Sequence, residues 1–173
     1  MNIEYQEFLK SKQKNHVQSG FDVDESELNV NLFPFQRFSV KRALKAGKYA
    51  LFFDCGLGKT LMQLAWAEQV TKKTDKPVLI LCPLAVAGQT IKEGEKFGIP
   101  VERLKSDVFG QGVYISNYEQ LDNIDTSVFS GIVLDESSIL KNFEGATKNL
   151  IVDRFIGTPY KLACTATPSP NDP

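Results

Sequence analysis

Two short segments combine residue types and spacing suited to chemistry on a phosphate: Asp54-Cys55-Gly56-Leu57-Gly58-Lys59-Thr60 and Asp135-Glu136. A triphosphate needs many hydrogen-bond donors at close range. Glycines at 56 and 58 let backbone N–H groups approach phosphate oxygens with no side chain in the way. Lys59 has the length to reach β- and γ-phosphates, and the Thr60 hydroxyl can ligate Mg²⁺. In the second segment, Asp135 suits a further Mg²⁺ contact, and Glu136 suits orienting and deprotonating an attacking water. Two neighbouring acids are tolerable there because a metal offsets their repulsion. Each segment taken alone has a plainer explanation, a tight turn or a solvated acidic pair, so the elements around it decide.

Those elements favour the chemistry. Tyr49 to Phe53 has the length and aromatic content of a buried strand, and Leu61 to Val70 is apolar and compatible with a helix. Strand, Gly-x-Gly-Lys-Thr turn and helix form the context of a phosphate-binding loop, with helix amides and the positive dipole end aimed at the anion. The general pattern G-x-x-x-x-G-K-[ST] would place glycine at 53, where this chain has Phe53. Gly131 to Leu134 reads as a strand that ends at the two carboxylates.

The rest of the chain supplies the frame. Residues 1–31 read as an appendage: Ile3, Tyr5, Phe8 and Leu9 can line one face of a short helix, Asp22 to Glu27 is acidic, and His16 reads as a surface side chain. Pro34 suits the first turn of a helix running to Ala46, which Gly47 ends. Within that helix Gln36 is either an exposed residue or an amide placed to pair with an adenine edge. Val78 to Cys82 is a continuous apolar run, as in a strand buried on both faces. Pro83 stops it, and a helix from about Val86 to Phe97 follows. Trp66 reads as core. Val101–Leu104, Gly112–Ser116 and Lys161–Thr165 are further strand candidates, 142–145 a loop, and Ala146–Phe155 a helix.

Alternating strands and helices predict an α/β fold with a mainly parallel sheet and helices on both faces. Sites in such sheets lie beyond the carboxyl ends of the strands. The polar segments 54–60, 83–84, 116–119, 135–138 and 165–168 all follow strand candidates, which predicts one shared site.

Composition sets bounds. The 173 residues suit one domain, and 42% apolar residues suffice for a core. A net charge of −1 gives no bulk attraction to nucleic acid or membrane, so any such surface must be a local patch. No apolar run approaches the roughly 18–20 residues of a membrane span, and the polar start is not a signal peptide. Cys55, Cys82 and Cys164 fit no zinc or disulfide spacing and read as buried thiols in a reducing cytoplasm.

Taken together, the segments resemble superfamily 2 helicases and translocases of the Snf type, and more narrowly the helicase-like proteins of phages and prophages. Leu32-Phe33-Pro34-Phe35-Gln36 resembles the family's adenine-reading Q motif, and Asp54 to Thr60 its motif I, whose Snf-type form contains G-L-G-K-T and often lacks the first glycine. Leu81-Cys82-Pro83-Leu84 resembles motif Ia. Ile115-Ser116-Asn117-Tyr118-Glu119 resembles motif Ib. Asp135-Glu136-Ser137-Ser138, with Lys141-Asn142 behind it, resembles motif II, with Ser138 where the family usually has histidine. Thr165-Ala166-Thr167-Pro168 resembles motif III.

The resemblance runs from about Leu32 to Asp172 and implies a RecA-like P-loop lobe over 32–173. It implies ATP and Mg²⁺ as ligands, with Gly56, Leu57, Gly58, Lys59, Thr60 and Asp135 around them, Glu136 as base and Gln36 on adenine. It also implies double-stranded DNA as partner, contacted near Pro83, Asn117, Tyr118, Thr165 and Thr167. Family members close the site with a second RecA-like lobe whose arginines are worth roughly 10³–10⁵ in rate. That lobe is missing from the 173 residues, so the chain alone is expected to turn over little ATP. A nucleotide-responsive module completed by a partner chain, or the motor of a restriction system, are the competing readings. No membrane role is implied, and a bacterial or phage-infected cytoplasm is the expected setting.

Overall fold

A computed structural model describes residues 19–105, 110–137 and 145–166. Among them, six strands form one sheet: β1 (Lys48–Phe52), β2 (Pro77–Cys82), β3 (Val101–Arg103), β4 (Gly112–Asn117), β5 (Gly131–Leu134) and β6 (Tyr160–Thr165). Their spatial order is β1-β6-β5-β2-β4-β3, and every pairing is parallel. Four helices accompany them: α1 (Pro34–Ala46), α2 (Lys59–Thr74), α3 (Ala87–Phe97) and α4 (Gly145–Arg154). The 142–145 loop expected from the sequence falls largely outside the described residues.

Parallel strands cannot be joined by tight turns, so helical crossovers cover both faces of the sheet and each face gathers its own core. On one side, Leu44 of α1, Met62, Leu64 and Trp66 of α2, and Ile80, Ile115 and Val133 of the sheet form one apolar cluster. On the other, Leu79, Leu81, Tyr118, Leu121, Ile132, Ile151 and Phe155 form a second. The α2 helix is buried through most of its length, Leu61 to Ala67 and Gln69 to Thr71, its polar Gln63, Gln69 and Thr71 included. Trp66 is fully buried, as expected, and its indole N–H has no partner among the described residues.

Local signals place the ends of these elements. Pro34 begins α1, and Gly47 ends it at φ 75°, donating to the Ala43 and Leu44 carbonyls. Gly98 ends α3 in the left-handed region. Gly94 serves close approach instead: a Cβ there would lie 2.5 Å from the Ile99 carbonyl oxygen and 2.9 Å from Val101 Cγ2. Backbone cannot yield cheaply, so Gly94→Ala is expected to destabilise the fold by about 1–3 kcal/mol. Urea unfolding measures this, and an unchanged midpoint would show that the α3–β3 corner is looser than described.

Packing adds detail to the expected frame in two places. In the stretch before residue 32, Val23 and Leu28 are buried in the first cluster, beside Leu32, and Phe21 N–H donates to the Leu44 carbonyl. Apolar residues spaced through an acidic stretch hid this packing. The β1 strand is not buried throughout. It has one neighbour, β6, so it forms a sheet edge, with Leu51 buried and Phe52 59% exposed.

Candidate active site

The loop between β1 and α2 holds Asp54 to Gly58 exposed at the carboxyl end of the sheet. Both glycines are needed there: Gly56 has φ 84° and Gly58 φ 74°, a region costly for residues with a Cβ. Gly58 is the N-cap of α2 and offers no capping side chain, so the first-turn amides of α2 have no side-chain cap. Lys59 Nζ donates to the Phe53 and Asp54 carbonyls at 2.9 and 3.3 Å. Thr60 is half-buried beside it.

Gln36 is neither exposed nor free. It is 3% exposed; its Oε1 accepts from Phe33 N–H at 2.9 Å, and its Nε2 donates to the Leu57 carbonyl at 2.9 Å. One amide thus caps the start of α1 and fastens the glycine loop to that helix. A Cβ on Gly58 would collide with Gln36 Nε2, which gives that glycine a second reason to be there. The expected choice between exposed residue and adenine reader omitted this third role, because the partner lies 21 residues away.

Across the sheet edge, β5 ends at Asp135. Its N–H donates to the Leu81 carbonyl at 2.8 Å, and the residue is only 7% exposed. Asp135 Oδ1 accepts from Gln63 Nε2 at 2.6 Å and from Glu136 N–H at 3.1 Å. Burial pushes this carboxyl above the ordinary carboxylate range; the Gln63 and Glu136 hydrogen bonds and the Lys59 charge offset part of the rise, and Glu93 adds to it. The fold thus brings Asp135 to the helix that begins at Lys59, through Gln63, 72 positions away in the chain. Glu136 is half-exposed and adopts φ 49°. Ser137 is half-exposed too, while Ser138, Lys141 and Asn142 lie outside the described residues.

The donor set fits a Mg²⁺ nucleotide. A hydroxyl and one carboxylate, Thr60 and Asp135, suit an ion that takes its remaining oxygens from phosphates and water. The loop supplies backbone donors and a lysine for the phosphates.

The residues expected at nucleic acid fare unevenly. Pro83 and Asn117 are half-buried at the ends of β2 and β4, and Asn117 Oδ1 accepts from Gln120 N–H, capping a 3₁₀ turn over Tyr118–Asn123. Tyr118 points inward instead: it is 4% exposed and its hydroxyl donates to the Asp135 carbonyl at 2.7 Å. Thr165 is 2% exposed, and its carbonyl accepts from Phe53 N–H. Both are thus buried at the carboxyl end of the sheet. Thr167 and Pro168 lie outside the described residues.

Cys82 and Cys164 are buried as expected. Burial and the Asp135 charge push the Cys82 thiol up to about 12 and raise that of Cys164 as well. Cys55 is exposed in the glycine loop, contrary to expectation, because the strand stops before it.

Fold and strand order define a RecA-like α/β lobe. Its sequence relatives include proteins named as SWI/SNF-related and as a DNA annealing helicase. No family model matches the sequence. The chain is similar to the SWI/SNF-related matrix-associated actin-dependent regulator of chromatin subfamily A-like protein 1 homolog of Caenorhabditis elegans. The two are 28% identical over 166 residues, covering 87% of this chain and 24% of that protein. It is 27% identical over 162 residues to mouse DNA annealing helicase and endonuclease ZRANB3, covering 83% of this chain and 15% of the relative. Among solved structures it superposes on the Sulfolobus solfataricus SWI2/SNF2 ATPase core in complex with dsDNA, with TM-score 0.69, 24% identity, and coverage of 87% of this chain and 35% of the other. The chain thus spans a quarter or less of the length of these curated relatives. No helix among the described residues is long and apolar enough to cross a membrane.

Proposed function

We propose that this chain is the N-terminal, ATP-binding lobe of an ATP-dependent DNA helicase or translocase, and that with a second RecA-like lobe it couples Mg·ATP hydrolysis to movement on double-stranded DNA. The observation that carries this reading is that Asp135, at the end of β5, meets the helix that follows the glycine loop, through the 2.6 Å hydrogen bond from Gln63 Nε2 to Asp135 Oδ1. The likeness to helicase and dsDNA-bound ATPase cores supports it.

The chain's residues divide the work. Backbone N–H groups of Gly56, Leu57 and Gly58 and the first amides of α2 hold the phosphates. Lys59 exchanges its loop carbonyls for β- and γ-phosphate oxygens. Thr60 and Asp135 would hold Mg²⁺, which would supply positive charge against the negative charge developing on the phosphates. Glu136 orients water and accepts its proton. Gln36 keeps a second N–H and a second lone pair for an adenine edge while its present bonds stand. Pro83 and Asn117, at the ends of β2 and β4, face the DNA in this reading. Buried, unpaired Cys82 and Cys164 support a reducing, cytoplasmic setting, in a bacterial or phage-infected cell.

Tested as residues 1–173 with no second lobe added, the chain is expected to bind Mg·ATP and hydrolyse it barely, because the arginines that stabilise the transferring phosphoryl group would come from that second lobe. ATP turnover, with and without double-stranded DNA, tests this. DNA-stimulated turnover comparable to a two-lobe motor would overturn the need for a second lobe.

A further inference from the structure

We propose that Gln63 and Tyr118 are positioning residues that clamp Asp135 from two sides, fixing which carboxylate oxygen faces the metal and holding the turn that aims Glu136. This rests on the reading above that Asp135 contacts Mg²⁺.

Gln63 stands one turn after Lys59 on α2, surrounded by apolar residues and only 1% exposed. A buried amide is costly unless it is paired. Here the pair is Asp135 Oδ1, at 2.6 Å, the shorter of two donors to that oxygen; the other is Glu136 N–H. With Oδ1 held by two N–H groups, Oδ2 is the oxygen left to meet a cation. Tyr118 fixes the same residue through its backbone, its hydroxyl 2.7 Å from the Asp135 carbonyl oxygen. The side chain is thereby tied to the phosphate-binding helix and the main chain to the end of β4.

The backbone that follows shows what the clamp holds. Glu136 has φ 49°, in a region costly for a non-glycine residue that persists where its surroundings over-determine it. Asp135 on one side is pinned at carboxylate, N–H and carbonyl, so the chain leaves the strand in one direction. A core serving packing alone gains nothing from a buried acid and glutamine over an apolar pair of similar volume.

The test is Mg²⁺ titration of fluorescent ATP-analogue binding to this chain, in the unaltered form, in Gln63→Met and in Tyr118→Phe. Methionine keeps length and packing while removing the donor, and phenylalanine removes one hydroxyl. Loss of an outer-shell partner typically costs about 10- to 100-fold in metal affinity. The Mg²⁺ midpoint is therefore expected to rise by that factor in Gln63→Met and to rise in Tyr118→Phe, while analogue affinity in EDTA stays unchanged. Equal midpoints in all three proteins, each folded by circular dichroism, would overturn the clamp. If Gln63→Met fails to fold, Tyr118→Phe decides by the same criterion. If the unaltered chain binds the analogue with no Mg²⁺ dependence, the metal reading of Asp135 falls, and the clamp with it.

Discussion

Lys59→Ala is expected to weaken ATP binding by this lobe about 10²- to 10⁴-fold. The Lys59 ammonium now spans its own loop, bonded to the Phe53 and Asp54 carbonyls. Nucleotide binding exchanges those neutral acceptors for charged phosphate oxygens. A hydrogen bond to a charged group is worth roughly 1.5–3 kcal/mol, and two of them, at about 1.4 kcal/mol per tenfold, give the stated range. The fold should be untouched, since Lys59 is half-buried and bonds only to loop carbonyls. A calorimetric titration with Mg·ATP, beside a thermal melt, separates the two effects. Undiminished affinity in a folded variant would remove the loop from the nucleotide site.

The second large effect concerns chemistry and leaves affinity alone. With a second lobe supplied, Glu136→Gln is expected to lower DNA-stimulated ATP turnover by about 10²- to 10⁴-fold, the usual contribution of a positioned general base. Glutamine keeps shape and hydrogen-bonding capacity but cannot accept the proton from water. The Glu136 N–H bond to Asp135 Oδ1 belongs to the backbone and survives the change. ATP affinity should therefore stay within a few fold of the unaltered lobe. A variant that still turned over within tenfold of the original would mean that another group takes the proton.

The two substitutions test different roles, and their contrast is informative: charge for Lys59, in the loop and helix after β1, and proton transfer for Glu136, just after β5, with β6 between the two strands.

What the sequence determined by itself was local. Glycines at 56 and 58 announce backbone with positive φ, Lys-Thr follows at the start of a helix, and an apolar run ends at Asp135-Glu136; each signal is complete within a few neighbouring residues. Alternating strands and helices also sufficed for a parallel α/β sheet. Only the tertiary structure decided which residues those signals meet. Gln63 finds Asp135 72 positions away, Gln36 finds Leu57 21 positions away, and Tyr118 turns inward to a carbonyl 17 positions on. It likewise made β1 an edge, exposing Phe52, and drew Val23 and Leu28 into the core. A backbone conformation is constrained by adjacent side chains, and so can be read along the chain. Burial and the pairing of polar groups depend on which strands lie side by side, and strand order is set by packing over the whole sheet.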